Sequence, residues 1–143
     1  MYKIKTIIIA MVFFSVFTST SFALSSDEKE PIRLTSKSAT CKRKNFETIC
    51  IYSGNALFNQ GTTTLRAQQI TIYKKTGQKI NKIVASGERS HYSTILENKQ
   101  QIDANANLIT IYTDRNLMVL EKDGAIVVGQ DKYSGPYIEY KLK

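Results

Sequence analysis

Ala67-Gln68-Gln69-Ile70-Thr71-Ile72-Tyr73 recurs further along the chain as Ala106-Asn107-Leu108-Ile109-Thr110-Ile111-Tyr112. In each copy two isoleucines alternate with Thr and Tyr, the period-2 signature of a strand with one buried face. Ile70, Ile72, Ile109 and Ile111 then point to an apolar interior, and Thr71, Tyr73, Thr110 and Tyr112 point away from it. A looser echo, Tyr137-Ile138-Glu139-Tyr140, comes near the end. One supersecondary unit repeated along a chain implies copies that stack and bury one another's faces.

The same texture extends outward from these copies. β-branched residues and alternation predict strands over 32–36, 39–44, 47–52, 56–59, 63–67, 70–74, 79–86, 91–96, 101–104, 108–113, 116–121, 125–130 and 137–142. Turn chemistry separates them: Ser53-Gly54-Asn55, Gln60-Gly61, Thr76-Gly77, Ser86-Gly87, Asp114-Arg115-Asn116 and Asp123-Gly124. No helical stripe lies between the strands, which excludes α/β crossovers and predicts an all-β roll, sandwich or barrel.

The N-terminus reads differently. Lys3 and Lys5 precede an apolar run over 6–17, and Ser21-Phe22-Ala23 follows with small residues at the cleavage positions. This layout predicts a secretory signal peptide over 1–23, a flexible mature N-terminus over 24–30 and a single domain over 31–143. An uncleaved membrane anchor is the competing reading, but spanning a bilayer takes about 20 apolar residues and the run is shorter. The 143 residues carry 20 Lys and Arg against 12 Asp and Glu, a formal +8. Without Lys3 and Lys5, 18 bases face 12 acids, a net +6. A basic exported domain suits an anionic partner.

Chemistry is sparse. His91 is the single imidazole, and no nucleophile-elbow, phosphate-loop or paired-carboxylate motif accompanies it. The reading is a non-enzyme with no cofactor and no metal site. The tyrosines do not interleave with the basic residues, so nucleic acid is not the expected partner. Cys41 and Cys50 flank a candidate hairpin turn at Asn45-Phe46. Opposite each other on antiparallel strands they would form a disulfide after export, the alternative being two unpaired thiols. The pair lacks the Cys-x-x-Cys spacing of a catalytic dithiol. Lys42, Arg43 and Lys44 fall near the hairpin tip and Lys74, Lys75, Lys79 and Lys82 flank another turn, either as solvated edge charges or as a rim meeting phosphates, with Arg66 a further phosphate-facing candidate.

Gly54-Asn55-Ala56, Gln60-Gly61, Leu65, Ala67 and Ile70 resemble, in order and spacing, the motif of the LptA/OstA family of lipopolysaccharide transport proteins. Glu30-Pro31-Ile32-Arg33-Leu34 looks like that family's opening strand, and Asp103-Ala104-Asn105-Ala106 with 117–129 resembles a second copy. The resemblance implies an open β-jelly roll whose hydrophobic groove shields the acyl chains of lipopolysaccharide (lipid A) while phosphates stay at the opening. It implies edge-strand pairing with inner-membrane LptC-type and outer-membrane LptD-type domains, and head-to-tail self-association. By family position Ile32 and Leu34 line the entry end of the groove. Alternation adds Leu65, Ile70, Ile72, Ile109, Ile111, Leu117 and Val119, with parity open to a one-residue slip. Family members often continue with another strand, so the end at Lys143 predicts one edge strand fewer. A membrane-anchored LptC-like extraction role and a charge-driven polyanion binder are the alternatives.

Overall fold

A computed structural model describes residues 27 and 29–143; the expected signal peptide lies outside the described residues. Eight strands follow one another: β1 (Arg33–Thr35), β2 (Ser38–Lys44), β3 (Glu47–Gln60), β4 (Thr63–Lys75), β5 (Ile80–Ile95), β6 (Gln101–Tyr112), β7 (Leu117–Val128) and β8 (Asp131–Lys141). They form a single sheet in which β3 to β8 pair in sequence order, every pair antiparallel. At the other edge β1 pairs with Leu57–Asn59 of β3, and β2 pairs with Glu47–Ser53 of the same strand. This is the all-β, open jelly-roll architecture expected, with longer and fewer strands than the turn signals suggested.

The difference has a physical cause. Ser53-Gly54-Asn55, Ser86-Gly87 and Asp123-Gly124 were expected as turns, yet they lie inside β3, β5 and β7. At these points the register slips, between Ser53 and Ala56, Ser86 and Ser90, and Glu121 and Gly124. Matching shifts fall between Arg66 and Gln69 in β4 and between Asn105 and Leu108 in β6. Five irregularities thus lie at one level across the sheet. Gly54, Asn55, Gly87, Arg89, Lys122 and Asp123 all have positive φ here. Bulges use the same left-handed residues as turns, but they bend a strand instead of reversing it. Aligned, they make a crease about which the sheet folds over on itself.

Inside the fold, cross-strand rows carry the core. One row near the crease runs Tyr52–Ile70–Ala85–Ile109–Leu120–Ile138, and the next runs Cys50–Ile72–Ile83–Ile111–Met118–Tyr140. Beyond the crease, Phe58–Leu65–Tyr92–Ala104–Ile126 supply the facing layer. Apart from Cys50, these belong to or pack against one hydrophobic cluster, with Ile70, Ile109, Leu120 and Leu65 wholly enclosed. The opposite face of the first half carries Thr71, Val84 and Thr110 in register, as the alternation predicted.

A candidate lipid-binding slot

The loops at the two ends of the long strands face each other across an opening remote from the crease. Between them lies a cavity of 1140 Å³, above the usual range of about 300–1,000 Å³ for small-ligand pockets. Its walls are Phe58, Leu65, Ile80, Ile83, Tyr92, Ile111 and Leu142, with Ile32 at the edge. A second hollow of 330 Å³ shares Ile32, Lys74 and Ile80 with it. It is walled by Leu34, Thr48, Cys50, Tyr52 and Ile72 and reaches the β1/β2 edge. Together they form an apolar slot whose floor is the core and whose mouth is polar.

The two lips differ in charge. One, made by the β4–β5 and β6–β7 turns, brings Lys74, Lys79, Asp114 and Lys143 to the cavity. The other combines the β3–β4 turn and β5–β6 loop with the segment before β1, and presents Asp27, Glu30 and Glu97. Asp27 is built in: Thr62 donates to it from its backbone N at 3.1 Å and from its Oγ1 at 2.5 Å, and Thr63 Oγ1 donates at 3.2 Å. Gly61 sits so close beneath Asp27 that a Cβ would come within 2.2 Å of its carboxylate. Thr63 and Thr94 hydroxyls lie 2.9 Å apart. Burial pushes the Tyr92 phenol up to about 12, against the lowering effect of Thr94 and Thr63 bonded to it. Tyr92 therefore stays a neutral donor in the slot wall at physiological pH.

The expected groove residues separate into three groups. Ile32, Leu34, Leu65, Ile72 and Ile111 line the slot. Ile70 and Ile109 face the same interior but are sealed near the crease, with 0% exposure, and line neither hollow. Leu117 and Val119 lie outside the core cluster; Met118 and Leu120 take the interior positions of β7. Strand parity slipped there by one residue, because Leu-Met-Val-Leu is apolar on both faces and alternation cannot choose. Phe58, Ile80, Ile83, Tyr92 and Leu142 were not expected. For Tyr92 the signal was hidden by the crease bulge, which flips the inward parity from Ile83 to Tyr92 in β5; Phe58 keeps the parity of Tyr52, and Ile83 that of Ala85.

The basic candidates divide similarly. Arg43 pairs with Thr48, which lines the slot, so it stands on the groove side of β2. Lys42 pairs with Ile49, one residue out of phase with Cys50, and so lies on the outer face. Arg66 is likewise exposed on the outer face, out of phase with the enclosed Leu65 and opposite His91. Lys42 and Arg66 are thus corrected to the outside, while Lys74, Lys79 and Lys143 stand at the mouth. Cys41 and Cys50 are directly opposite and bonded, with Cα atoms 4.0 Å apart. A bond closing so short a loop stabilises by about 2–3 kcal/mol on the loop-entropy account. It ties the exposed strand β2 to β3 and places Cys50 in the slot wall.

His91 faces away from the slot, with Nε2 3.3 Å from Asp103 Oδ1 on the outer surface. Among the described residues no three His, Cys, Asp or Glu side chains gather as a metal site.

The family model described as LptA/(LptD N-terminal domain) LPS transport protein matches residues 33–143, from β1 to the last residue. The chain belongs to this family. Within it, the chain is similar to the lipopolysaccharide export system protein LptH of Pseudomonas aeruginosa, 24% identical over 124 residues, covering 86% of this chain and 70% of LptH. The crystal structure of LptH, the LptA homologous periplasmic component of the lipopolysaccharide transport device of Pseudomonas aeruginosa, superposes with a TM-score of 0.71. That match has 22% identity and covers 82% of this chain and 80% of the other. The LptA-family fold is therefore shared over nearly the whole sheet.

Proposed function

We propose that this LptA-family chain is a periplasmic lipopolysaccharide carrier and bridge, exported by a leader over 1–23, that shields acyl chains during transit between the two membranes. The observation that carries the reading is the apolar slot, open at a charged mouth and continuous toward the β1/β2 edge. Each methylene moved from water into such a slot gains about 0.8 kcal/mol, so a few acyl chains suffice for firm binding without any covalent chemistry. Among the described residues the sheet ends at β1 and β2 on one side and at β8 on the other, and these edges offer backbone donors and acceptors for strand addition by LptC-type and LptD-type domains or by a second copy.

Photocrosslinking tests the reading. A photoreactive side chain at Ile83 or Ile111 is expected to capture lipopolysaccharide, and one at Val84 or Thr110 on the opposite face is not. Deacylated lipopolysaccharide should fail to compete. Equal capture from both faces would overturn the slot as the binding site.

A further inference from the structure

Asn81 is the extra residue of a bulge near the mouth: Tyr73 pairs with Lys82 and Lys74 with Ile80, leaving Asn81 between them. Its backbone is held, since Thr113 N donates to its carbonyl at 3.1 Å. Its side chain lines the slot, and Oδ1 is buried with no hydrogen-bond partner among the described residues. A buried acceptor left without a donor is costly, so the arrangement favours a ligand that brings one. Lys74, the other flank of the bulge, borders both hollows, and Lys79 stands beside it on the same lip. The acid of that lip, Asp114, has Arg115 Nε 3.9 Å away.

From this geometry we infer a headgroup subsite formed by Asn81, Lys74 and Lys79 that takes a phosphomonoester carried on a hydroxyl- or amide-bearing sugar. The two lysines match the phosphate charge, and Asn81 Oδ1 accepts from the neighbouring O–H or N–H. Acyl chains attached to the same sugar then continue inward past Ile80 and Ile83. Asp27, Glu30 and Glu97 repel a phosphate from the opposite lip, so the head docks on one side of the mouth only. Lys74 and Lys79 are among the lysines the sequence offered for a rim meeting phosphates, and Asn81 is the addition the structure makes. The subsite rests on the carrier reading above and adds to it the side and chemistry of headgroup recognition.

The test uses the mature chain with two probes, diphosphoryl lipid A and an uncharged apolar fluorophore. Lys74→Gln with Lys79→Gln, and separately Asn81→Leu, which removes the acceptor, should weaken lipid A binding about tenfold or more, the scale of one or two charge-assisted hydrogen bonds. Fluorophore binding should stay within about twofold, and so should lipid A binding by a Lys42→Gln/Arg66→Gln control. The lysine pair is exposed, so that variant reads the subsite even if Asn81→Leu perturbs folding. Lipid A binding unchanged by the lysine pair, with the fluorophore still bound, overturns the subsite alone. A wild-type chain that takes up neither probe overturns the carrier reading. Displacement of lipid A by excess inorganic phosphate assigns the lip to free phosphate and overturns the sugar-borne headgroup.

Discussion

Ile109 and Ile80 belong to the same apolar interior but serve different ends of it. Ile109 lies in the row beside the crease, 0% exposed, between Ala85 and Leu120. Ile80 lies at the mouth, half-buried, on the wall of both hollows. One folded sheet thus divides its hydrophobic surface by distance from the bend. Near the crease the two layers close on each other and hold the fold. Toward the strand ends they diverge, and apolar surface is left for a ligand. A carrier gains from this separation, because loading the slot need not disturb the packing that keeps the strands together.

The sharpest test of the division is to shorten one residue of each kind. Ile109→Ala should lower unfolding free energy by about 2–5 kcal/mol, the range for buried aliphatic truncations. Ile80→Ala should cost about 1 kcal/mol or less in urea denaturation, because the cavity already adjoins it, and should weaken acyl-chain binding instead. Equal stability losses at the two sites would erase the distinction between crease and mouth.

Alkaline titration probes the mouth side next. Burial raises the Tyr92 phenol from 10.0 to about 12, so the unfolded chain loses this proton first as pH rises. Stability is then unaffected below pH 10 and falls between pH 10 and 12, by on the order of 2–3 kcal/mol in all. Comparing thermal unfolding of wild type and Tyr92→Phe across that window isolates the effect. A variant that loses as much stability as wild type would show that Tyr92 is not the group responsible.

Glycines give the smallest contrast. Gly87, in the crease of β5, has φ +120° and leaves a Cβ only 2.6 Å from Gln68 Cβ. Gly77, in the β4–β5 turn near the mouth, has φ +72° and open space around it. Gly87→Ala should destabilise by about 1–3 kcal/mol and Gly77→Ala by about 1 kcal/mol, both read from denaturant midpoints. A larger loss at Gly77 would mean that the crease tolerates repacking better than the turns do.

Much of this was legible in the residues themselves. Ile70-Thr71-Ile72-Tyr73 and Ile109-Thr110-Ile111-Tyr112 declared strands with one apolar face, and the register confirms which face that is. Cys41 and Cys50 flanked a plausible hairpin and are joined across it. The places where reading stopped share one reason. Gly54-Asn55, Gly87 and Asp123-Gly124 carry the chemistry of reversal, and nothing local distinguishes a reversed chain from a bulged one. In β4, β5 and β6 the crease bulge also flips the inward parity, so Leu65, Tyr92 and Ala104 could not be placed by counting across it from Ile70, Ile83 and Ile109. In β7 the apolar run 117–120 left the choice of face to packing.

By itself the sequence determined an all-β chain, its apolar periodicity, its disulfide pair and, through Gly54-Asn55-Ala56 and Gln60-Gly61, its family. Tertiary structure alone decided that the irregularities of five strands align as one crease, and therefore which isoleucines seal the core and which line the slot. It alone decided that Asn81 Oδ1, without a hydrogen-bond partner among the described residues, joins Lys74 and Lys79 on one lip. Alternation is a property of neighbours along a strand, whereas a mouth is made by strand ends that only the folding of the whole sheet brings together.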